Sequence, residues 1–326
     1  MNLLMCSVGR RGKLLKYFRE TMGRKGRIIA TDHSPYAPAL YFADKQYVVP
    51  KITEPGYIDT LLNICGKEKV DAMATFIDPE IEVLARNRER FEELGIKVLV
   101  PFYETARLCF DKYELFKHLK KHNIPTVPTY GTLEEVQAAI EKEELFFPVF
   151  VKPRTGSGSV GARLIESKEE LMMAVKEEES LIIQEYMEGM DLDADVYVDT
   201  ESREVVSVFS KRKISTTIGG ANKTISFKDE KLFTLIQQVA AVLELYGPND
   251  MDFFYVNGKY YLSEINPRFG GAYLHAYGAG VDFIKLIENN IFLRPNPAYI
   301  GEYEEGIVMM MYDSVVIKRQ EELVKE

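Results

Sequence analysis

The first hundred residues alternate short apolar runs with helical patterns, and this alternation constrains the fold more than any other feature of the chain. Residues 2–8 are apolar, and the turn Gly9-Arg10-Arg11-Gly12 follows. Leu14, Leu15, Phe18 and Met22 then recur at helical spacing, and a second apolar run over 27–31 ends at Asp32. Strand, turn, helix and strand in roughly 30 residues make one βαβ unit. The spacing predicts further strands over 46–49, 72–76 and 97–100, with helices over 57–65 and 80–94. Asp78-Pro79 reads as a helix start, with Asp78 as N-cap and Pro79 at the first helical position. A parallel, doubly wound sheet is the expected result.

The turn lacks the G-x-G-x-x-G spacing that lets a dinucleotide pyrophosphate approach the backbone. Asp32 sits where a ribose ligand would, but an aspartate at a strand end is also an ordinary turn residue. The dehydrogenase reading is therefore the weakest.

After Pro101 the pattern changes to helices over 104–122 and 134–142, a strand over 148–152, a glycine loop, and a strand over 162–165. A helix over Lys168–Glu177, an apolar strand over 181–186, two strands around residues 199–202 and a helix over 227–245 follow. A hairpin over 251–265 turns at Asn257-Gly258. This is α+β patterning with antiparallel strands.

A formal net charge of −9 argues against nucleic acid and anionic membrane surfaces as partners. Cys6, Cys65 and Cys109 are far apart, so neither a disulfide framework nor a structural zinc site is expected. No apolar run reaches the ~18 residues of a membrane span. The N-terminal arginines follow the apolar run, opposite to a secretory signal. A soluble cytoplasmic protein is the expectation.

Three segments carry chemistry. Lys152 ends an apolar strand and opens a loop, Lys152-Pro-Arg-Thr-Gly156-Ser157-Gly158-Ser-Val-Gly161. It lies between strands, so it is not a P-loop, but its small residues let backbone N–H groups face a phosphate. Read alone, it is equally a β-hairpin with a surface lysine. In Ser263-Glu264-Ile265-Asn266-Pro267-Arg268, Glu264 and Asn266 share one strand face, a hard-oxygen pair suited to Mg²⁺. Asp252 on the preceding strand can add a second carboxylate, and Arg268 is a cation for phosphate oxygens. A two-residue turn at Asn257-Gly258 would pair Asp252 with Ser263 and put Asp252 and Glu264 on opposite faces. A shared metal therefore predicts a longer loop. Finally, the apolar strand at 181–186 ends in Gln184-Glu185-Tyr186-Met187, whose backbone can pair with an adenine edge.

In order, these pieces resemble the ATP-grasp superfamily, most closely the carbamoyl-phosphate synthase large-subunit type. The resemblance implies a Rossmann-like parallel-sheet domain over 1–104, then an ATP-grasp fold of two α+β subdomains, 105–180 with the glycine lid and 181–326 with the metal site. It implies ATP contacts from Lys112, in Phe110-Asp111-Lys112, from Lys152 and from Gly156, Ser157, Gly158 and Gly161. It implies adenine contacts from Gln184, Glu185, Tyr186 and Met187, and ribose contact from Asp191, where the family has Glu. Mg²⁺, as one ion or two, or Mn²⁺, would be held by Asp252, Glu264 and Asn266, with Lys152 and Arg268 as the catalytic cations. Lys211-Arg212-Lys213 is similar to a basic segment facing the acyl phosphate in relatives, and is equally read as surface lysines. The implied chemistry is ADP-forming ligation of a small carboxylate to an amine, by a chain for which a homodimer is an open arrangement. A carbamoyl-phosphate-synthase-like subunit using bicarbonate with a partner, and a non-catalytic nucleotide-binding protein, are the alternatives.

Overall fold

In the computed structural model, which describes residues 1–325 apart from 157, 159, 179, 218 and 219, the alternation of the first hundred residues becomes a parallel five-stranded sheet. Its strands are β1 (Asn2–Cys6), β2 (Arg27–Asp32), β3 (Lys45–Val48), β4 (Ala72–Thr75) and β5 (Lys97–Val98), in the order β3-β2-β1-β4-β5. Helices α1 (Gly12–Met22), α2 (Tyr57–Glu68) and α3 (Asp78–Arg86) connect them. The strands are buried on both sides. Leu3 and Met5 face one core, while Leu4 and Cys6 face another under α2 and α3. Strands are added outward in one direction from β1 through β2 and β3 and in the other through β4 and β5, so the turn after β1 and the start of α3 flank one crevice.

The helix expected over 80–94 divides at Asn87 into α3 and α4 (Arg88–Glu92). That over 104–122 divides into α5 (Tyr103–Phe110) and α6 (Lys112–Lys121). The second break has a local cause: the Asp111 side chain caps α6, accepting from Tyr113 N and Glu114 N at 3.1 Å each.

A four-stranded antiparallel sheet follows, from β6 (Thr129–Tyr130), β7 (Val149–Pro153), β8 (Arg163–Ile165) and β9 (Leu181–Glu185), ordered β6-β9-β7-β8. Helices α7 (Leu133–Glu141) and α8 (Lys168–Glu177) cover its core. The largest sheet is built from β10 (Met190–Val198), β11 (Val205–Thr217), β12 (Gly220–Phe227), β13 (Gly247–Val256), β14 (Lys259–Asn266) and β15 (Val308–Met310), ordered β14-β13-β10-β11-β12-β15. The sequence pattern does not mark β12, and the helix read from 227 begins later, as α9 (Glu230–Val242). Helices α10 (Tyr273–Gly278) and α11 (Phe283–Ile291) pack back toward α1, where Phe18 meets Phe269 edge-on at 5.4 Å. The apolar core thus runs unbroken from the parallel sheet into the six-stranded one. Among the described residues no helix is long and apolar enough to cross a membrane.

His275 of α10 is buried, with Nδ1 2.7 Å from Thr224 Oγ1. Burial, and then the Lys211 charge, push its pKa down to about 4. Unfolded, it protonates near 6.5, so the stability it contributes is present above that value and is lost as pH falls toward 4. His275→Asn is therefore expected to flatten the fall in melting temperature between pH 6.5 and 4. Equal slopes for the two proteins would show that His275 does not set this dependence.

Candidate active site

Strands β14, β13, β10 and β11 lie side by side, and alternation carries every second side chain to one face. Register places Glu264 opposite Asp252, Asp252 opposite Asp193, and Asp193 opposite Lys211. One step along, Asn266, Asp250 and Asp195 form a parallel row. The loop between β13 and β14 is nevertheless short: Val256 pairs with Lys259 across Asn257-Gly258. The longer loop expected from sequence is therefore wrong. A β-bulge corrects the register instead, since Phe253 pairs with Leu262 and Asp252 with Glu264, leaving Ser263 as the extra residue. Both carboxylates reach one face despite the two-residue turn.

Uncompensated carboxylates this close would be costly, and the chain supplies cations from three directions. Lys213 of β11 pairs with Asp252 at 2.5 Å and Asp191 at 2.9 Å. Burial opposes its charge, but Asp252 and then Asp191 outweigh it and hold the pKa above the usual lysine range. Lys211 is fully buried against Asp193, at 3.0 Å, and Asp195. The surface-lysine reading of Lys211 is thus overturned. Burial first, then Lys211 in opposition and like charges in support, leave Asp193 and Asp195 each with a pKa of about 6.

Lys152 arrives from the end of β7, buried, with Nζ 3.6 Å from Glu264. Burial and the neighbouring Lys112 pull its pKa down against the attraction of Glu264. Lys112 is set by the same corner. Its N–H donates to Arg154 O, and the Arg154 guanidinium grips Asp111 at 2.7–2.9 Å, so one aspartate caps α6 and fixes the strand end. Lys112 Nζ donates to Gly156 O at 2.6 Å, drawing the glycine loop to the site. Ser157 lies outside the described residues.

Arg268 is buried between Asp78, Nε to Oδ1 2.9 Å, and Asp250, at 3.1 Å. Asp78 is therefore not the N-cap read from sequence. Ile77 occupies that position, no side chain caps α3, and the Asp78 carboxylate crosses the crevice to hold Arg268.

A cavity of about 520 Å³ joins these groups. Lys112, Lys152, Gly156, Gly158, Asp191, Asp252, Glu264, Asn266 and Arg268, all singled out from sequence, line it. Gly161 and residues 184–187 are not on its wall. Gln184 is buried in mid-sheet, donating to Thr129 Oγ1 at 2.8 Å. Sequence reading missed Arg11, Asp193, Asp250 and the pairing of Lys213. The i, i+2 runs Asp191/Asp193/Asp195 and Lys211/Lys213 carried the signal, because alternation puts each run on one face.

A sheet floor of carboxylates and lysines thus faces a glycine loop between two strands across one cavity. Residues 109–272, half of the chain, match the family model described as ATP-grasp domain, and the chain belongs to that family. Residues 3–99 match the model described as PylC-like, N-terminal domain. The chain is 23% identical over 259 residues to the carbamoyl phosphate synthase large chain of Clostridium acetobutylicum, a match spanning 76% of this chain and 24% of that one. It is 25% identical over 282 residues to a pyruvate carboxylase subunit of Methanothermobacter thermautotrophicus, spanning 78% of this chain and 56% of that one. The chain thus spans a quarter to about half of these relatives' length. Among solved structures, N5-carboxyaminoimidazole synthetase from Staphylococcus aureus, complexed with ADP, shares the fold at a TM-score of 0.76. That match has 19% identity and covers 95% of this chain and 81% of that one.

Proposed function

We propose that the chain is an ADP-forming carboxylate–amine ligase, with the division 1–104, 105–180 and 181–326 as its working parts. The observation carrying this reading is the register match of Asp252 with Glu264, beside Lys152 and Arg268 and under the glycine loop. Two carboxylates in register with the Asn266 amide beside them suit a divalent cation, since the donors are hard oxygens brought to one face. Bound there by Asp252, Glu264 and Asn266, Mg²⁺ would screen the charge of the transferred phosphoryl group.

The residues divide the remaining tasks. Lys112, Lys152 and the backbone of Gly156 and Gly158 hold the phosphates. Gly161 closes the same phosphate loop, Asp191 takes the ribose, and the backbone of Gln184–Met187 takes the adenine. Arg268, fixed by Asp78 and Asp250, presents preorganised positive charge where the γ-phosphoryl group leaves ADP for the substrate carboxylate. The resulting acyl phosphate is attacked by the amine, and phosphate departs. Excluding water under the glycine loop protects that intermediate. A small anionic metabolite and an amine, met in the cytoplasm, are the proposed partners. The kinship to carbamoyl phosphate synthase favours bicarbonate as the alternative carboxylate, with a partner chain.

Incubation with ATP, Mg²⁺ and a carboxylate panel, with hydroxylamine as the amine, tests this reading. ADP release with hydroxamate formation is expected, and AMP as the main product would overturn it. Lys152→Ala is expected to weaken ATP binding ~10-fold or more, because a charged hydrogen bond contributes roughly 1.5–3 kcal/mol and the loop has no replacement cation. Isothermal titration would read this directly, and unchanged affinity would remove Lys152 from the phosphate site.

A further inference from the structure

The ligase reading leaves one cation of the cavity without a task. Lys152 faces Glu264, Lys211 faces Asp193 and Asp195, Lys213 faces Asp191 and Asp252, and Arg268 faces Asp78 and Asp250. Arg11 lines the same cavity, and among the described residues no carboxylate lies within 4 Å of it. Among the described residues its side chain makes one hydrogen bond, from Nη1 to Gly270 O, 2.8 Å away and 259 residues on. A guanidinium has five N–H donors, so most of its capacity remains open.

The position is built, not incidental. Asp32, the residue weighed above as a ribose ligand, instead accepts from Gly9 N at 2.9 Å and shapes the turn that carries Arg11. Across the crevice, Gly270 leaves no room for a side chain: a Cβ there would lie 2.4 Å from Asp250 Oδ1. Only a bare backbone can bring that carbonyl to Arg11. Burial, and then the adjacent Arg268 charge, lower the Arg11 pKa to about 10, which leaves it cationic at neutral pH. Asp250, Asp78 and Asp195 attract Arg11 from a distance, but at contact distance they pair with Arg268 or Lys211, so the two neighbouring guanidinium groups leave room for an anion to join them.

Register says which anion. Asp191 and Lys213 stand at one end of the floor, the Glu264/Asp252 row in the middle, and the Asp250/Asp195 row beyond it. Arg11 belongs to this last row, reached through Gly270, past the groups assigned to nucleotide and metal. We propose that Arg11 binds an oxyanion, carboxylate or phosphate, of the non-nucleotide substrate, and so helps select that substrate at the junction of the parallel sheet with the ATP-grasp half. The proposal rests on the ligase reading for the existence of such a substrate.

The test uses the full chain and two probes, acetate and inorganic phosphate, titrated at constant ionic strength and read by melting temperature. Each titration is run with and without Mg²⁺ and the β,γ-imido analogue of ATP. In the wild type one probe is expected to raise the melting temperature saturably with the analogue present. Saturation by acetate identifies a carboxylate group, and saturation by phosphate alone identifies a phosphate group. In Arg11→Gln the half-saturating concentration should rise ~10-fold or more, in line with the loss of a charged hydrogen bond. Affinity for the analogue itself should stay within about twofold. Should Arg11→Gln fail to fold, Arg11→Lys, which keeps the charge and loses the fork, should still raise the half-saturating concentration several-fold for a carboxylate. No saturable effect of either probe on the wild type, or equal effects in wild type and variants, would overturn the proposal. Failure of the analogue to bind would instead count against the ligase reading, and the titrations without it would still decide the role of Arg11.

Discussion

Glu264→Gln is expected to abolish Mg²⁺-dependent ADP release, lowering it by about 10³-fold or more, while the protein stays folded. The substitution keeps the shape of the side chain and removes one of two in-register carboxylates. It also strips Lys152 of its partner at 3.6 Å. Glu264 is partly exposed, so the lost ion pair contributes little to stability. Loss of rate and retention of fold therefore separate cleanly, by ADP assay and by thermal melting. An equally active variant would remove Glu264 from the chemistry. Deleting Ser263 tests the register itself. Without the bulge residue, the two-residue turn pairs Phe253 with Leu262 and Asp252 with Glu264 directly, so both carboxylates should stay on one face and ADP release should persist; its loss would mean that the bulge does more than set the register.

Asp78→Ala is expected to destabilise the protein by about 3–5 kcal/mol, the usual consequence of removing one partner from a buried ion pair. A simple N-cap would cost only ~1 kcal/mol. Side-chain exposures of 9% for Asp78 and 11% for Arg268 keep this pair largely out of water. Asp250 still faces Arg268 in the variant, which argues for the lower end of the range. Because Asp78 opens α3 and Arg268 follows β14, the loss should also loosen the parallel sheet against the six-stranded one. Denaturant unfolding of Asp78→Ala and Asp78→Asn gives the magnitudes. A loss near 1 kcal/mol for the alanine variant would mean that the ion pair contributes no more than a cap.

These two sites divide what the sequence revealed from what it hid. Glu264 was legible because its evidence is local: two residues apart on a strand place Glu264 and Asn266 on one face wherever that strand sits. The same local logic gave the parallel sheet, since period-2 and period-3.6 patterns alternate over residues 2–100. Lys112 and Lys152 were legible through the short segments around them, and both reach the cavity wall.

The hidden features all depend on residues far apart in the chain. Nothing near Asp78 marks Arg268, 190 positions away, so an acid before a proline reads as a cap. The basic run at 211–213 looks solvated until β10 places Asp193 and Asp195 beside Lys211. Likewise, a turn sequence sets pairing only near the turn, and the bulge at Ser263 resets it where the sheet carries the carboxylates. Periodicity specifies which way a side chain points from its own strand. The neighbour it meets depends on strand order, register and the crevice between sheets, and those are set by burial of the common core.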